Sequence, residues 1–537
     1  MNWKKFLKRG ILGAAAVTLL IGGGVPAEAA PQVRVTGGVI QGYDSDGLQI
    51  FKGIPYADTT AGANRWREPQ PVKAWRGVKD CTEFSPIAVQ NEASTLDYQM
   101  PWTDEYLDLG MNLENGLMGE DCLSVNVWTP AASANDKLPV IVYIHGGANV
   151  SGSGCNDVYD GTEIAKKGVV YVSMNYRVGI FGFLAYKDRT GEEVTGNFAV
   201  QDQIAALEWV QENISKFGGD PDNVTIMGQS AGSINVQNLI ASTAAAGLFK
   251  KAIALSMNSV TTDFPSRSTL AEAEAASQKA IGNYTLKQLR AMSPAEILAL
   301  QYMPNTVIVN SSKTGTKSLR DAFSSGEWNK VDMIWGGVEG DQFLFDAVIP
   351  NGNFLEPASN ITADEYTESA RKSFGSASAE FLKLYAPKKN SVTVARQANV
   401  DRMMSNYFYA AGLKNDADSN YKTYLFYFDH VIPDTPERMK KYGAFHSSDV
   451  NYWLNHYTKI YPRSFTAKDY ALGEAMSSYL VNFAKTGNPN GKDSRGKNLP
   501  RWYAFDGSDR ISYLHIGDKI RQTEMNASKS KFWLSLH

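Results

Sequence analysis

A serine between two glycines is the side chain of this sequence best suited to nucleophilic chemistry. Gly228-Gln229-Ser230-Ala231-Gly232 is the only Gly-x-Ser-x-Gly pattern in the chain, and it follows the short apolar run Val224-Thr225-Ile226-Met227. Flanking glycines let neighbouring backbone crowd a sharp strand-to-helix turn that lifts the serine hydroxyl clear of a sheet. The pattern predicts Ser230 as an acyl-transfer nucleophile, with the N–H of Ala231 facing the oxyanion. A glycine-rich turn without chemistry is the alternative.

A second glycine element precedes the serine and directly follows another apolar run. Residues 145–148 are His-Gly-Gly-Ala, and residues 138–144 before them are apolar. Small residues at the end of a strand let a substrate oxygen approach the backbone, where N–H groups can bind a tetrahedral intermediate. Each such donor lowers the barrier by about 3 kcal/mol. A tight turn without a catalytic role is the alternative.

A serine nucleophile needs a general base, and histidine is the usual one. In this type of sheet the chain order is serine, acid, histidine, so the base is expected late in the sequence. His446 lies in a loop with aromatic neighbours and is favoured, while His430 and His456 stay open. The other three of the six histidines fit less well because they lie early in the chain, in an apparent strand or at the terminus: His145, His515 and His537.

The serine and the histidine must be held by a larger scaffold, which the remaining patterns predict. Residues 138–144 and 169–174 are apolar on both faces, as buried central strands are. Between residues 199 and 217, apolar residues recur at helical spacing. This alternation predicts an α/β fold with a large, mostly parallel central sheet flanked by helices, with long loop and helical insertions. Residues 259–330 are the expected helical insertion or lid.

Composition, charge and the N-terminal segment limit the partners and the location. The 537 residues are 43% hydrophobic and 20% charged, and the net charge of −3 argues against nucleic-acid binding. A basic start, an apolar stretch and Ala27-Glu28-Ala29 predict a cleaved signal peptide over residues 1–29. We therefore expect a secreted or periplasmic protein in which residues 30–537 form one domain without a membrane span. An uncleaved membrane anchor is the alternative.

The cysteines and histidines do not form a recognisable metal-binding pattern. No CxxC or HExxH element occurs, so the sequence predicts no metal site. Export permits disulfides, but Cys81, Cys122 and Cys155 can form at most one.

Together, these features resemble the type-B carboxylesterase/lipase family, the cholinesterase-like branch of the α/β-hydrolase superfamily. The resemblance extends over nearly all of the predicted mature chain, and its motifs occur in the family's order. They are Phe51-Lys52-Gly53-Ile54-Pro55-Tyr56-Ala57, Glu120-Asp121-Cys122-Leu123-Ser124-Val125-Asn126-Val127-Trp128, Asn175-Tyr176-Arg177, Gly196-Asn197, Asp202-Gln203, Phe217-Gly218-Gly219-Asp220-Pro221, Gly487-Asn488-Pro489-Asn490 and Trp502.

The resemblance implies a role for several residues. Ser230 corresponds to the nucleophile, and the Gly-Ala-Phe-His setting of His446 is similar to the family's histidine loop. Where the family usually has a third glycine and an aromatic residue, this chain has Ala148 and Asn149, so we expect an altered acyl pocket. The implied oxyanion hole consists of three backbone N–H groups, those of Gly147, Ala148 and Ala231.

The acid of the triad has two candidates. The family usually carries a glutamate here, and alignment without gaps on Gly336 and Phe345 places Asp341 at that position. Aspartate can hold the imidazole tautomer in the same way. Glu339 is the alternative, because residues two apart in an extended strand point to the same side. The resemblance favours Asp341.

The resemblance implies a serine carboxylesterase that hydrolyses small-molecule carboxylic esters through an acyl-enzyme, without a metal or organic cofactor. A lipase for long acyl chains, or a non-catalytic adhesion or binding protein on the same fold, is the alternative; intact Ser230 and His446 argue against the non-catalytic one. The family commonly bridges its EDCL cysteine to an upstream cysteine, but that upstream position holds Ala88 here. A Cys81–Cys122 bridge is left as an open expectation.

Overall fold

The structure is a computed structural model that describes most of the chain. The predicted signal peptide, residues 1–29, lies outside the described residues. Of the helices in the described part, none is both long and apolar enough to cross a membrane. The described residues are 30–91, 111–261, 267–343, 347–350, 352, 357–458 and 463–537.

An eleven-stranded sheet runs through the described part of the chain. Seven adjacent strands of the sheet are parallel, and antiparallel strands are added at both edges. In chain order its strands are β1 (Tyr43–Ser45), β2 (Leu48–Pro55), β3 (Ser124–Thr129), β4 (Leu138–Ile144), β5 (Val170–Met174), β6 (Gly219–Gln229), β7 (Lys251–Leu255), β8 (Asp332–Val338), β9 (Thr423–Phe428), β10 (Ser512–Ile516) and β11 (Ile520–Glu524).

The strand order across the sheet brings the ends of distant segments together. From one edge to the other it is β11-β10-β9-β8-β7-β6-β4-β5-β3-β2-β1. Because β6, β7 and β8 are neighbours and parallel, their carboxyl ends lie at one edge of the sheet. This confirms the predicted α/β-hydrolase architecture and places the segments after β6 and β8 near each other, where open α/β sheets bind ligands.

Both faces of the central strands are buried, as their continuous apolar character predicts. In β4, Val140, Val142 and Ile144 belong to the hydrophobic core on one face, whereas Ile141 and Tyr143 belong to the core on the other. Burying one such side chain contributes about 1.5–3 kcal/mol. Two cores on opposite sides therefore fix the sheet between the helices.

The helices cover both faces of the sheet and also form the insertions. The predicted helix at residues 199–217 is found as Phe198–Asn213 followed by a 3₁₀ turn, and it stops at Gly218, whose φ of 75° favours glycine. The α-helices are α1 (Thr162–Ala165), α2 (Gly179–Phe183), α3 (Phe198–Asn213), α4 (Ala231–Ile240), α5 (Leu270–Ile281), α6 (Leu286–Ala291), α7 (Pro294–Leu298), α8 (Leu319–Ser325), α9 (Ala363–Phe374), α10 (Ser378–Leu384), α11 (Val392–Ala417), α12 (Pro436–Tyr442), α13 (Val450–Trp453), α14 (Ala467–Thr486) and α15 (Ala527–Leu534).

Short strands outside the central sheet pair with one another. One group is a three-stranded sheet, and the others are two-stranded. These strands are Gln32–Val35, Gly38–Gln41 and Val78–Asp80; Ile87–Ala88 with Met118–Gly119; Ala185–Lys187 with Glu193–Thr195; and Arg267–Ser268 with Val307–Ile308.

The predicted insertion at residues 259–330 is helical, since α5 to α8 lie within it. Three of these helices begin with a capping box at Thr269, Thr285 and Ser293. In each, the capping side chain accepts from the backbone N–H three residues later, and that later residue's side chain accepts from the backbone N–H of the capping residue. Asn197 fixes the insertion to the body of the protein. Its side chain donates to the carbonyl of Ile308 over 2.7 Å and accepts from the Ile308 N–H over 2.8 Å.

Two buried ion pairs connect segments that are distant in sequence. Arg177, just after β5, forms a bidentate ion pair with Asp202 of α3, with N–O distances of 2.7 and 2.6 Å. Arg65 binds Glu120 in the same way, over 2.7 and 2.6 Å. Paired geometry of this kind offsets the cost of removing both charges from water.

The three cysteines are free and buried. The Cys81–Cys122 bridge considered from the sequence is therefore absent. Burial raises the pKa of the Cys81 thiol to about 11. A thiol in such surroundings is mostly protonated at neutral pH and behaves as a small apolar group.

Candidate active site

Ser230 lies at a strained turn between β6 and α4. Its φ of 58° and ψ of −125° fall outside the regions that side chains usually adopt. A Cβ atom at Gly228 would collide with the carbonyl of Gly232, and one at Gly232 would collide with the carbonyl of Ile144. The two glycines of the motif are therefore needed for close backbone packing, as the sequence predicts. The turn leaves Ser230 partly exposed at the end of the sheet.

His446 and Asp341 complete a line of three side chains with Ser230. The His446 Nε2 atom lies 2.8 Å from the Ser230 Oγ atom. On the other side of the ring, Nδ1 lies 2.6 Å from Oδ1 of Asp341. Both the imidazole and the carboxylate are buried, with 4% and 1% of each residue exposed. The structure thus brings together the three predicted triad residues in the order serine, histidine, acid.

The backbone turn after β8 distinguishes between the two acid candidates. Strand β8 ends at Val338, and Glu339–Phe343 forms a 3₁₀ turn. The expectation that Glu339 and Asp341 point to the same side of an extended strand is therefore wrong. Asp341 is held by the N–H of Val338, which donates to Oδ2 over 2.9 Å. Oε2 of Glu339 would lie 3.2 Å from a Cβ atom at Gly443, and burial together with the nearby Asp429 raises the pKa of Glu339.

A glycine allows the acid turn and the histidine loop to touch. The N–H of Gly340 donates to the carbonyl of Ala444 over 2.8 Å. A Cβ atom at Gly340 would lie 2.9 Å from the backbone nitrogen of His446, closer than side chains normally pack. The contact fixes Asp341 and His446 relative to each other although neither shares an element with the other.

The segment of residues 145–151, here called the glycine loop, runs beside the nucleophile. Gly147, Ala148 and Asn149 all have positive φ, of 103°, 54° and 61°. The N–H groups of Val150 and Ser151 both donate to the carbonyl of Gly147 over 3.0 Å. Within the described residues, no group accepts a hydrogen bond from the N–H of Gly147 or Ala148. These N–H groups are therefore available to a ligand.

The glycine loop packs directly against the serine turn. A Cβ atom at Gly146 would lie 3.1 Å from the Cβ atom of Ser230. Ala231 is the first residue of α4, where backbone N–H groups have no partner within the helix. The three N–H groups implied by the resemblance therefore belong to two segments in contact, and their arrangement can bind a negatively charged oxygen.

The other histidines have different partners. His145 stacks on Tyr176 with ring centres 4.2 Å apart, and burial lowers the pKa of His145 to about 4. His430 lies between Asp469 and Asp518, with distances of 2.9 and 3.3 Å. His515 lies 2.7 Å from Asp429, and His456 lies 3.5 Å from Asp157. In the described chain, His446 is the histidine in contact with Ser230.

A family model described as the carboxylesterase family matches residues 29–533. The chain belongs to the carboxylesterase family. Among its relatives, the para-nitrobenzyl esterase of Bacillus subtilis is 30% identical over 84% of this chain and 89% of its own length. The precursor of a medium-chain fatty acyl-CoA hydrolase of Anas platyrhynchos is 29% identical over 97% of this chain and 95% of its own length.

Solved structures agree with this membership. A PNB esterase structure superposes with a TM-score of 0.72 at 26% identity, covering 94% of this chain and 99% of the other. A carboxylesterase of Geobacillus stearothermophilus also gives a TM-score of 0.72, at 25% identity and with the same coverage. The protein is a carboxylic-ester hydrolase with the α/β-hydrolase fold.

Two further polar residues of this carboxylesterase, one in contact with His446 and one near Asp341, were not identified from the sequence. The Nε2 atom of Gln229 lies 3.2 Å from Nε2 of His446. Asp449, three residues after His446, is fully buried and accepts from Nε1 of Trp453 over 3.0 Å. Burial and the nearby Asp341 carboxylate raise the pKa of Asp449 to about 7. Gln229 directly precedes the predicted nucleophile in the sequence, and this adjacency was the signal that could have identified it as a site residue.

Asn149 stands where the resemblance implies an aromatic residue, and the altered acyl pocket expected from this difference stays a prediction. The side chain of Asn149 is completely buried. Its Oδ1 atom accepts a hydrogen bond from Nδ2 of Asn235 in α4 over 2.9 Å. The side chain of Asn149 therefore faces α4, whereas Gly147 and Ala148 stay partly exposed beside Ser230.

Proposed function

We propose that the protein hydrolyses carboxylic esters through an acyl-enzyme on Ser230, with His446 as general base and acid and Asp341 as the orienting acid. The observation that carries this proposal is the continuous contact from Ser230 Oγ to His446 Nε2 at 2.8 Å, and from His446 Nδ1 to Asp341 Oδ1 at 2.6 Å. A base within this distance can remove the hydroxyl proton as the serine attacks.

In the first step, Ser230 Oγ attacks the ester carbonyl carbon and His446 takes the serine proton. The carbonyl oxygen becomes negative and binds the N–H groups of Gly147, Ala148 and Ala231. When the intermediate collapses, the bond to the alcohol oxygen breaks and His446 protonates the leaving alcohol. The acyl group is then bonded to Ser230.

In the second step, water replaces the alcohol. His446 removes a proton from the water as its oxygen attacks the acyl carbon, and then returns that proton to Ser230 Oγ as the carboxylic acid leaves. The buried carboxylate of Asp341 stabilises the charged imidazole in both steps. No residue role in this scheme requires a metal or an organic cofactor.

Hydrolysis of a p-nitrophenyl ester series from acetate to palmitate, with wild-type protein beside Ser230→Ala, tests the proposal. We expect turnover of short-chain esters that is lost in Ser230→Ala. A maximum at long chains would instead indicate a lipase. Serine-independent turnover would contradict the proposed mechanism.

The pH dependence gives a second test of the same proposal. Activity should fall as the pH is lowered from about 8 to about 5, because a charged imidazole cannot accept the serine proton. A flat profile over this range would argue against His446 as the base.

We also propose that the protein is exported and that residues 30–537 fold as one domain. The match to the family model begins at residue 29, where the predicted signal peptide ends. N-terminal sequencing of the protein from the producing cells tests the removal of the signal peptide, with Ala30 as the expected first residue.

A further inference from the structure

We infer that the hydrogen bond between Asn149 and Asn235 is a positioning link that holds the glycine loop in register with the nucleophile helix α4, and so sets the geometry of the oxyanion hole. The inference rests on the proposed function, because it concerns the hole formed by Gly147, Ala148 and Ala231. Neither asparagine touches the substrate in this proposal.

The glycine loop has a backbone conformation that needs support from its surroundings. Three consecutive residues, Gly147, Ala148 and Asn149, have positive φ. Only glycine adopts such angles without cost, although asparagine tolerates them better than most residues. A loop of this kind keeps one shape only when surrounding contacts fix it.

Asn149 supplies several of those contacts. Its Oδ1 atom accepts from Nδ2 of Asn235 over 2.9 Å, and its main-chain carbonyl accepts from the N–H of Gly179 over 2.7 Å. The neighbouring carbonyl of Ala148 accepts from Nδ2 of Asn305 over 3.1 Å. Asn149 is thus held on its side chain and on its backbone, directly after the residue whose N–H belongs to the proposed hole.

The contacts of Tyr176 determine which of the two asparagines donates the hydrogen bond. Its hydroxyl donates to the carbonyl of His145 over 2.7 Å, so its oxygen can only accept from a second neighbour. The atom of Asn235 that faces it, at 3.3 Å, must therefore be the amide nitrogen Nδ2. Since Nδ2 is the donor, the atom of Asn149 that it contacts is the oxygen.

The link connects the two halves of the proposed hole. Asn235 lies in α4, four residues after Ala231, and Asn149 follows Ala148. Both asparagine side chains are completely buried, so water does not compete for the hydrogen bond. A relative shift of the loop and the helix would change the spacing between the N–H groups of Ala148 and Ala231.

Removal of the link should lower turnover more than substrate binding. The oxyanion forms only in the transition state, so misplaced donors reduce kcat and leave KM nearly unchanged. A displacement of about 1 Å can lower the rate about 100-fold. We expect Asn235→Ala and Asn149→Gly each to lower kcat by about 10- to 100-fold. Glycine at position 149 keeps the positive φ without strain.

The experiment measures kcat, KM and the inhibition constant of a trifluoromethyl ketone for wild type, both single variants and the double variant. If the two residues act through one link, the double variant loses no more than the more damaged single variant. The inhibition constant should rise by the factor by which kcat/KM falls, since the ketone adduct is also an oxyanion. Losses that multiply in the double variant, or an unchanged kcat in Asn235→Ala, would overturn the inference.

Asn238→Ala is the matched control. Asn238 is a buried asparagine on the same helix, and its Oδ1 atom faces Nη2 of Arg267 at 3.4 Å rather than the glycine loop. We expect its kcat to equal that of wild type, with thermal midpoints of all variants measured alongside. A loss in Asn238→Ala equal to that in Asn235→Ala would identify a general packing effect and overturn the inference.

The Ser230→Ala protein, assayed in parallel, separates the two proposals. Activity that survives in Ser230→Ala would overturn both the proposed function and the link. Serine-dependent activity that is insensitive to Asn235→Ala and Asn149→Gly would overturn the link alone. If Asn235→Ala does not fold, Asn149→Gly gives the same test from the loop side.

Discussion

Ser230 and Asp341 depend on adjacent small residues for their positions. Gly228 and Gly232 let the serine turn pack against β4, and Gly340 lets the acid turn meet the histidine loop. A triad on loops therefore reaches hydrogen-bond distances because backbone can approach backbone at these points.

Asp341 and Glu339 give a direct comparison at this scale. Asp341→Asn should lower kcat by about 10³- to 10⁴-fold with little change in KM, because an amide cannot hold the required imidazole tautomer. Glu339→Gln is the control from the same turn and should keep the wild-type kcat, because the Asp341 carboxylate already contacts Nδ1 of the imidazole at 2.6 Å. Steady-state kinetics on one ester measures both, and a loss confined to Glu339→Gln would transfer the acid role to Glu339.

Asp449 should make stability depend on pH. Its folded pKa of about 7 lies above the ordinary value of 3.8, mainly because of burial and then because of Asp341. The folded state therefore binds this proton more tightly, and ionisation costs stability as the pH rises from about 4 to about 7. Asp449→Asn should gain thermal stability relative to wild type over that range, and little below it. A difference in melting temperature that does not change with pH would contradict this.

At the scale of elements, ion pairs connect the sheet to its helices. Arg177 follows β5 and Asp202 lies in α3, and their side chains are 2% and 0% exposed. The Arg177 guanidinium also donates to the carbonyl of Arg67 over 2.8 Å, so one side chain joins three segments. The pair therefore connects α3 to the segment directly after β5.

Removal of one partner of this pair should destabilise the protein strongly. Asp202→Asn leaves the Arg177 charge buried without its counter-ion, and we expect the free energy of unfolding to fall by about 3–5 kcal/mol. Lys73→Met, which breaks a pair with Asp58 in which the lysine side chain is 79% exposed, should have a much smaller effect. Urea unfolding compares the two variants, and similar midpoints would contradict the expectation.

At the scale of the whole molecule, stability comes from the large sheet and its two cores rather than from cross-links. Both faces of the parallel strands are buried, and the three cysteines are free thiols. The fold therefore holds without a disulfide.

Thiol titration tests whether the three cysteines are free. In denaturant, Ellman's reagent should detect three thiols per chain, with or without prior reduction. The folded protein should react slowly, because burial raises the pKa values of Cys81 and Cys155. A disulfide would hide two of the three thiols until reductant is added.

The sequence alone determined the features that depend on local order. The periodicity of residues 138–144 and 199–217 predicted a strand and a helix, since burial on both faces or on one stripe leaves a pattern in neighbouring residues. The glycines around Ser230 predicted a tight turn, because a residue without a Cβ atom lets backbone segments pack closely. The order of motifs along the chain identified the family and, with it, Asp341 and His446 as candidates.

The tertiary structure decided what depends on contacts between distant residues. His446 contacts Ser230, which lies 216 positions away in the sequence, and Asp341, which lies 105 positions away. No local pattern encodes these contacts. The 3₁₀ turn after β8 separated Asp341 from Glu339, and packing against α4 turned the Asn149 side chain toward Asn235. Such outcomes depend on how whole elements pack, because burial and hydrogen bonding of each side chain are fixed only when the partner segments are in place.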